Sequence, residues 1–221
     1  METNERVLRK DAERNRQRIL TAARELFAER GLSVTLNDIA HHADVGVGTI
    51  YRRFPDKALL IDELFDQQLE EIVDLLQAAI RDPDPWHGLT EFLERVLERQ
   101  AKDRGLKQIL LGARGAPERI TKTRSRLHPL AAELVEGARA AGAVRPDCET
   151  QDFGVLQLMV GAVIDAGRDV APDLWRRYLA IMLQGLRAQP VPLDPLPTPT
   201  VSPQQMDGLL MGAQKSRRTE Q

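Results

Sequence analysis

The sequence predicts an all-α fold, with a three-helix N-terminal domain followed by a larger helical domain. Leucine and alanine account for 54 of the 221 residues, whereas valine and isoleucine account for 24. Strong helix formers therefore outnumber β-preferring residues by more than two to one, which argues against an all-β fold. Apolar residues also recur at helical spacing in several segments, so most of the chain is expected to form amphipathic helices.

The distribution of charge along the chain and the presence of a single cysteine restrict the functions that the sequence allows. The formal net charge is −2, but residues 1–60 hold 11 basic and 9 acidic residues, while the rest of the chain holds 20 basic and 24 acidic residues. The positive end of the chain is therefore the N-terminal one. The single cysteine, Cys148, forms neither an internal disulfide nor a multi-cysteine metal site, and no cysteine-enzyme signature surrounds it.

The sequence contains no recognisable targeting segment. The first fifteen residues lack the apolar stretch of a secretory signal. The longest apolar stretch, near 153–164, is interrupted by glycine and glutamine and is too short to span a bilayer. We therefore expect a cytoplasmic protein with no metal, no cofactor and no membrane partner.

The first helix is predicted from an apolar stripe that ends at a glycine. The stripe extends at helical spacing from Ile19 to Phe27, and Gly31 follows where a glycine commonly ends a helix. The segment 6–18 before it holds six basic and two acidic residues. That run is typical either of a solvated helix face or of an arm that follows a polyanion.

A short second helix is predicted between Thr35 and His42. Thr35 followed three residues later by Asp38 resembles a capping box, with an acid that is one methylene shorter than usual. Ile39 and Ala40 supply the inward face of this helix. The small side chain of Ala40 lets another helix approach closely.

A tight turn and a third short helix follow. Residues 43–45 form the turn, and the helix extends from about Val47 to Phe54, where Pro55 ends it and helps to start the next helix. Ile50 and Phe54 face inward. Two short helices joined by such a turn form a helix-turn-helix, whose second helix fits the major groove of B-DNA. The residues on its outward face are Val47, Gly48, Thr49, Tyr51, Arg52 and Arg53.

A set of spaced positions between residues 16 and 62 agrees with a known pattern. These positions are Phe27-Ala28-Glu29-Arg30-Gly31, Thr35, Asp38-Ile39-Ala40, Val45, Gly48-Thr49-Ile50-Tyr51, Phe54 and Lys57-Ala58-Leu59-Leu60. With them, the segment resembles the N-terminal signature of TetR-family transcriptional regulators. The resemblance is specific because many separated positions agree at once, and the rest of the chain resembles the family in helical architecture and length.

The resemblance implies roles for individual residues. Positions that usually contact or orient DNA phosphates are occupied by Thr35, Thr49, Tyr51 and Lys57, and Arg53 is expected to join them. Positions that commonly approach base edges are occupied by Asn37, Val47 and Arg52. Three positions depart from the family pattern. Asp44 replaces a turn glycine, although aspartate tolerates left-handed geometry, and Gly46 and Leu36 lack a polar side chain where one is common.

The larger domain is predicted from longer apolar stripes. One extends from Ile61 to Ile80, and shorter stripes follow over 89–97 and 127–138. In the segments 149–168 and 172–188, apolar residues cover more than one helix face. Such helices must be buried on more than one side, which a second subunit would achieve.

The chain ends in a proline-rich tail. Six of the 13 prolines fall within the fourteen residues after Gln189, which predicts a disordered or extended segment. We therefore divide the chain into a helix-turn-helix domain (1–60), an effector-binding and dimerisation domain (61–188) and a tail (189–221).

The resemblance also implies a pocket for a small-molecule effector among the helices of roughly 60–142. Candidate contacts are polar or aromatic residues set in apolar stretches, each of which could instead belong to the core or to an interface. They are Phe65, Phe92, Arg99, Arg114, His128, Gln157 and Trp175. If Arg114 and His128 line the pocket, they suggest an anionic or hydrogen-bonding ligand.

These features predict a ligand-responsive repressor that binds a palindromic operator as a homodimer, with helices near 149–168 and 172–188 of each subunit in the interface. Two alternatives are left open. An activator or dual regulator would have the same fold, and so would a small-molecule-binding helical protein that has lost operator binding. An enzyme is not expected, because no nucleophile elbow, metal cluster or pair of catalytic carboxylates is present.

Overall fold

The computed structural model describes residues 2–110, 117–190, 194–202, 205–206 and 208–209; the side chains of 2–11, 67, 109 and 117–124 are not included in that description. Within these ranges the secondary structure is helical and no strand occurs. The predicted all-α class is confirmed. The helices are α1 (Glu2–Arg30), α2 (Leu36–His42), α3 (Val47–Arg53), α4 (Lys57–Ile80), α5 (Pro85–Lys102), α6 (Arg104–Leu110), α7 (Pro117–Ala140), α8 (Thr150–Gly167) and α9 (Leu174–Leu186).

The first three helices pack around one apolar core. Phe27 of α1, Ile39 of α2 and Ile50 of α3 are completely buried in it. Gly31 ends α1 with a φ of 71°, a conformation that glycine adopts without steric cost. A Cβ at this position would also lie 2.6 Å from Gln108 Oε1. The predicted glycine stop and the two predicted short helices are confirmed.

Helix α4 joins the two parts of the molecule. Its N-cap is Asp56, whose carboxylate accepts a hydrogen bond from the Ala58 amide at 3.0 Å. The first turns bury Leu60 and Ile61, and the later turns pack against α5 and α7. The predicted boundary between residues 60 and 61 therefore falls inside a continuous helix.

Helix α6 is absent from the sequence-based predictions. It has seven residues, includes Gly105, and is too short to show a full apolar stripe. Asp103 Oδ1 accepts a hydrogen bond from the Leu106 amide at 2.9 Å, which caps the first turn. Leu106 and Lys107 are both buried. Tertiary packing and this cap account for a helix that its own periodicity does not indicate.

The described part of the tail lies against the body of the protein; it is extended over 194–202, whereas residues 205–206 and 208–209 are helical, contrary to the prediction of a disordered or extended tail. Residues 194–202 bear no helix, as expected for a segment with three prolines. Met206 is only 8% exposed. None of the helices in the described ranges is both long and apolar enough to cross a bilayer.

Cys148 is predicted to be chemically inert in the folded protein. Its side chain is completely buried, and burial raises the pKa of the thiol to about 12. The thiolate is the reactive form, so only about one thiol in ten thousand is ionised at pH 8. We expect dithionitrobenzoate at pH 8 to leave the native protein unmodified and to label it fully in concentrated urea. Rapid labelling without urea would contradict this burial.

Candidate nucleic-acid interface and ligand cavity

A capping box fixes the first helix of the helix-turn-helix. Thr35 Oγ1 accepts a hydrogen bond from the Asp38 amide at 3.1 Å, and Asp38 Oδ2 accepts from the Thr35 amide at 2.8 Å. Asp38 Oδ2 also accepts from the Thr35 hydroxyl at 2.6 Å, and these bonds hold the pKa of the Asp38 carboxyl below its usual value. The predicted capping box is confirmed. Because the Thr35 hydroxyl already donates to Asp38, a phosphate contact would compete with the cap.

Asp44 forms the turn between α2 and α3. Its φ is 51°, so it occupies the left-handed region in place of the expected glycine. Arg18 of α1 donates to both the carbonyl oxygen and Oδ2 of Asp44, each at 2.9 Å. The Val45 amide donates to the Ala40 carbonyl at 3.0 Å. The predicted left-handed aspartate is confirmed, and the Arg18 contact is an addition that the sequence did not indicate.

Helix α3 exposes the face that its periodicity predicted. Ile50 and Phe54 are buried in the core, whereas Val47 and Tyr51 are 40% and 45% exposed. The guanidinium carbon of Arg53 lies 5.7 Å from the centroid of the Phe54 ring, which supports the end of the helix. The other predicted DNA contacts on this surface are exposed Asn37, Gly48 and Arg52 and half-buried Thr49.

Lys57 lies beside this surface but contacts the protein itself. Its Nζ donates to the Leu32 carbonyl at 2.5 Å and lies 5.8 Å from the centroid of the Phe27 ring. Burial lowers the pKa of the Lys57 ammonium. An ammonium has three hydrogens, so the bond to Leu32 leaves donors for a phosphate. Any phosphate contact of Lys57 would thus share the side chain with Leu32.

A cavity of about 630 Å³ lies between α4, α5, α7 and α8, and Leu110 of α6 and Met206 complete its described lining. Its described lining is mostly apolar and includes Leu76, Phe92 and Leu134. No lysine, arginine, aspartate or glutamate occurs among the lining residues that the structure describes. Nor do the described residues contain a cluster of metal-ligating side chains. The polar members of the lining are Ser125, His128, Thr150, Gln151 and Gln157.

The cavity contains some of the predicted ligand residues and not others. Phe92, His128 and Gln157 line it. Gln157 is also joined to a residue that the sequence reasoning missed: Gln100 is completely buried, and its Nε2 lies 3.5 Å from Gln157 Oε1. Arg114 lies outside the described residues.

The other three predicted ligand residues have structural partners elsewhere. Phe65 stacks on Phe27 beneath the helix-turn-helix, with ring centroids 6.2 Å apart. Arg99 of α5 pairs with a glutamate of α4. Trp175 is buried in α9, with the Arg176 guanidinium 4.5 Å from its ring centroid. An aromatic or charged residue in an apolar stretch thus does not by itself indicate the cavity.

Helix α6 connects the cavity domain to the base of the helix-turn-helix. Gln108 Oε1 accepts a hydrogen bond from the Leu32 amide at 2.5 Å, while Lys57 donates to the carbonyl of the same residue. The Leu32 residue is therefore held from two sides. On the same helix, buried Lys107 forms an ion pair with Asp165 of α8, with Nζ and Oδ1 2.5 Å apart. Helix α6 is therefore linked both to the helix-turn-helix and to α8.

Two family models match the chain. One is described as bacterial regulatory proteins of the tetR family and matches residues 19–64, which include the helix-turn-helix. The other is described as the C-terminal domain of SbtR-like transcriptional regulators and matches residues 84–188, which include most of the cavity.

Similar proteins are found among solved structures and curated sequences. A TetR transcription regulatory protein from Mycobacterium vanbaalenii is 30% identical, with a TM-score of 0.52 and coverage of 82% of this chain and 99% of that chain. A TetR transcriptional regulator from Streptomyces coelicolor is 26% identical, with a TM-score of 0.55 and coverage of 79% and 99%. An HTH-type transcriptional regulator from Staphylococcus aureus is 36% identical over 89 residues, which are 39% of this chain and 46% of that protein. The chain thus spans about half the length of the curated relatives it matches.

Proposed function

Because this chain belongs to the TetR family of transcriptional regulators, we propose that it binds a palindromic operator as a homodimer and represses transcription until a small molecule fills its cavity. The main support is the outward face of α3, which is exposed, carries two arginines and is backed by a packed core. A second support is the polar path from the cavity domain through α6 to Leu32.

DNA recognition in this proposal divides between bases and phosphates. The guanidinium of Arg52 can donate two parallel hydrogen bonds to O6 and N7 of guanine, and the methyl groups of Val47 can contact a thymine methyl. Tyr51 and Arg53 suit phosphate oxygens on either side of the groove. The bonds from Arg18 to the Asp44 turn hold α3 at a fixed angle to α1, which keeps these side chains aligned with the groove.

The proposed dimer forms through α8 and α9. Leu174, Tyr178 and Ile181 lie on one face of α9 at i, i+4 and i+7, and Ile181 is 55% exposed. Met159 of α8 is 46% exposed, and the exposed Ala162 on the same helix lets another helix approach closely. Burying this apolar surface against its copy would form a four-helix interface related by a two-fold axis. That axis places two copies of α3 in successive major grooves.

The proposed effector is an uncharged, mostly apolar molecule with a polar group. The described lining offers apolar walls and hydrogen-bonding side chains but no formal charge to neutralise an ionised ligand. Burying an unpaired charge in such a site is costly. Gln157 is a suitable partner for the polar group, because Gln100 orients its amide from behind.

Ligand control in this proposal depends on two states of α6. A ligand between α5, α7 and α8 would bind better to a state in which α6 has moved, and the Gln108–Leu32 bond would transmit that movement. The spacing of the two α3 helices would then no longer fit the operator. The free energy that shifts the protein from one state to the other comes from the tighter binding of the ligand to the second state.

Replacing Lys57 by alanine is expected to weaken binding to all DNA sequences alike. Loss of one phosphate contact lowers the slope of log affinity against log salt by about one. Fluorescence anisotropy on operator and random DNA at several salt concentrations measures both effects. Lys102→Ala, which removes an exposed lysine from α5, is the matched control. A wild-type slope for Lys57→Ala would show that Lys57 serves only to hold Leu32.

Run-off transcription from the DNA upstream of the gene tests the proposed function. Addition of the protein is expected to lower the amount of transcript from this template and to leave a template with a shuffled upstream sequence unaffected. An increase in transcript would identify an activator instead. Equal transcript levels at protein concentrations that saturate the DNA would contradict any regulatory role at this promoter.

A further inference from the structure

The described C-terminal residues 194–202 and 205–206 are tied to the cavity domain by polar contacts. Arg145 Nη2 donates to the Asp194 carbonyl at 2.8 Å, and the Leu196 amide donates to Asp147 Oδ2 at 2.9 Å. Arg145 and Asp147 are themselves paired, with Nε and Oδ1 2.5 Å apart. The Arg145 guanidinium and the Leu196 amide lower the pKa of Asp147 to about 2, so this anchor is ionised at neutral pH.

A second set of contacts carries the segment to the start of α8. Thr200 Oγ1 donates to Asp152 Oδ1 at 2.6 Å. The Ser202 amide donates to Gln205 Oε1 at 2.8 Å, and the Met206 amide donates to the Ser202 carbonyl at 2.8 Å. These bonds join Ser202 to the helical residues Gln205 and Met206, and Met206 lies against the helix bundle.

Met206 enters the wall of the ligand cavity. Its side chain is 8% exposed and lines the cavity beside Phe153 and Gln157. Gly154 of α8 makes the space for it, because a Cβ at that position would lie 2.7 Å from Met206 Cε. Among the described lining residues, Met206 is the one that comes from outside the helices α4 to α8.

We propose that residues 194–202 and 205–206 are a strap across the ligand cavity and that Met206 is the strap residue that contacts the effector and selects its size. This proposal presupposes the ligand cavity of the proposed function. The strap is attached mostly by exposed polar contacts, which contribute little each, so it can open without unfolding the helices. The unbranched thioether side chain of Met206 can adapt to ligands of different shape. Its position against Gly154 sets the depth of the cavity when the strap is closed.

The strap makes ligand entry depend on residues far from the cavity in sequence. With the strap closed, Met206 fills part of the space that a large ligand requires. A large apolar ligand must displace Met206, whereas a small one can bind under it and gain contact with its side chain. Removing the strap should therefore speed entry of large ligands, and a larger side chain at 206 should exclude them.

Stopped-flow fluorescence with the uncharged apolar probe N-phenyl-1-naphthylamine tests this. Met206→Ala and a chain that ends at residue 193 are expected to raise the association rate constant of the probe by about tenfold, because a buried methionine contact no longer holds the closed state. Thr200→Val, which leaves the cavity wall intact, should act in the same direction. Met206→Trp should lower the rate constant, and Leu209→Ala, at an exposed position, should match the wild type.

Equal rate constants across these variants would overturn the strap, and so would failure of the shortened chain to bind the probe. Circular dichroism of each variant checks that its helices are retained. Operator binding, measured separately by anisotropy, distinguishes the two proposals. If the protein binds no upstream DNA but the variants show the predicted order of rate constants, the proposal that it is a repressor is contradicted and the proposal of a strap still holds.

Discussion

Replacing Arg52 by alanine is expected to lower affinity for the operator by about 1–3 kcal/mol, which is about 5- to 150-fold, and to relax sequence preference at one base pair. Arg52 is exposed on α3, and Ile50 on the opposite side of the helix is completely buried, so the guanidinium points away from the core. Its removal deletes base contacts without opening a cavity. Anisotropy titrations against the operator and its single-base variants measure the loss.

A matched control separates base readout from general electrostatics. Arg95 of α5 is also exposed and forms only a surface ion pair with Glu91. Arg95→Ala should therefore retain operator affinity within a factor of about two. Equal affinities for wild-type protein and Arg52→Ala on the operator would contradict the placement of α3 in the major groove.

Replacing Asp165 by alanine is expected to lower the free energy of unfolding by about 3 kcal/mol. Lys107, its partner on α6, is 7% exposed; it would keep its bond to the Gly161 carbonyl but lose the counter-charge of the Asp165 carboxylate. Removing the counter-charge of a buried ammonium lowers the free energy of unfolding much more than removing one member of an exposed ion pair does. Urea unfolding at one fixed protein concentration measures the change, since dimerisation makes stability depend on concentration.

The double variant Lys107→Met/Asp165→Leu tests the cause of that loss. Apolar side chains of similar volume often replace a buried ion pair at little cost, so the double variant should recover most of the stability. Glu91→Ala, which breaks an exposed pair on α5, should change stability by less than about 1 kcal/mol. A double variant as unstable as Asp165→Ala would show that shape, rather than the stranded charge, causes the loss.

Local sequence signals predicted the N-terminal helix-turn-helix domain well because each depends on a few neighbouring residues. The Thr35–Asp38 capping box, the left-handed Gly31 and Asp44, and the buried Ile50 all follow from side-chain chemistry within one turn. The long helices followed from apolar periodicity for the same reason. The predicted roles of the exposed residues on α3 in DNA binding come from family resemblance and await the tests above.

Features that depend on distant residues could not be predicted in the same way. Helix α6 is stabilised by packing against α1 and α5 and by the Lys107–Asp165 ion pair to α8, rather than by a stripe of its own. The aromatic side chains of Phe65 and Trp175 are packed elsewhere in the protein and do not line the cavity. The cavity is lined mostly by apolar residues, and no local sequence pattern distinguishes these from residues of the hydrophobic core. Met206 belongs to a proline-rich tail, and the composition of that tail does not indicate which part of the helical body it packs against. Gly154, within an apolar helix, was the one local hint that something approaches closely there.

DNase I footprinting of the wild-type protein on the DNA upstream of its gene tests the central claim most directly. A homodimer with one α3 per subunit should protect two half-sites related by a two-fold axis, with centres about 34–36 Å apart along the duplex. Protection of two such half-sites, which requires about 5- to 150-fold more protein with Arg52→Ala, is the predicted result. An unprotected region, or a single protected half-site with no symmetry-related partner, would contradict operator binding by a dimer.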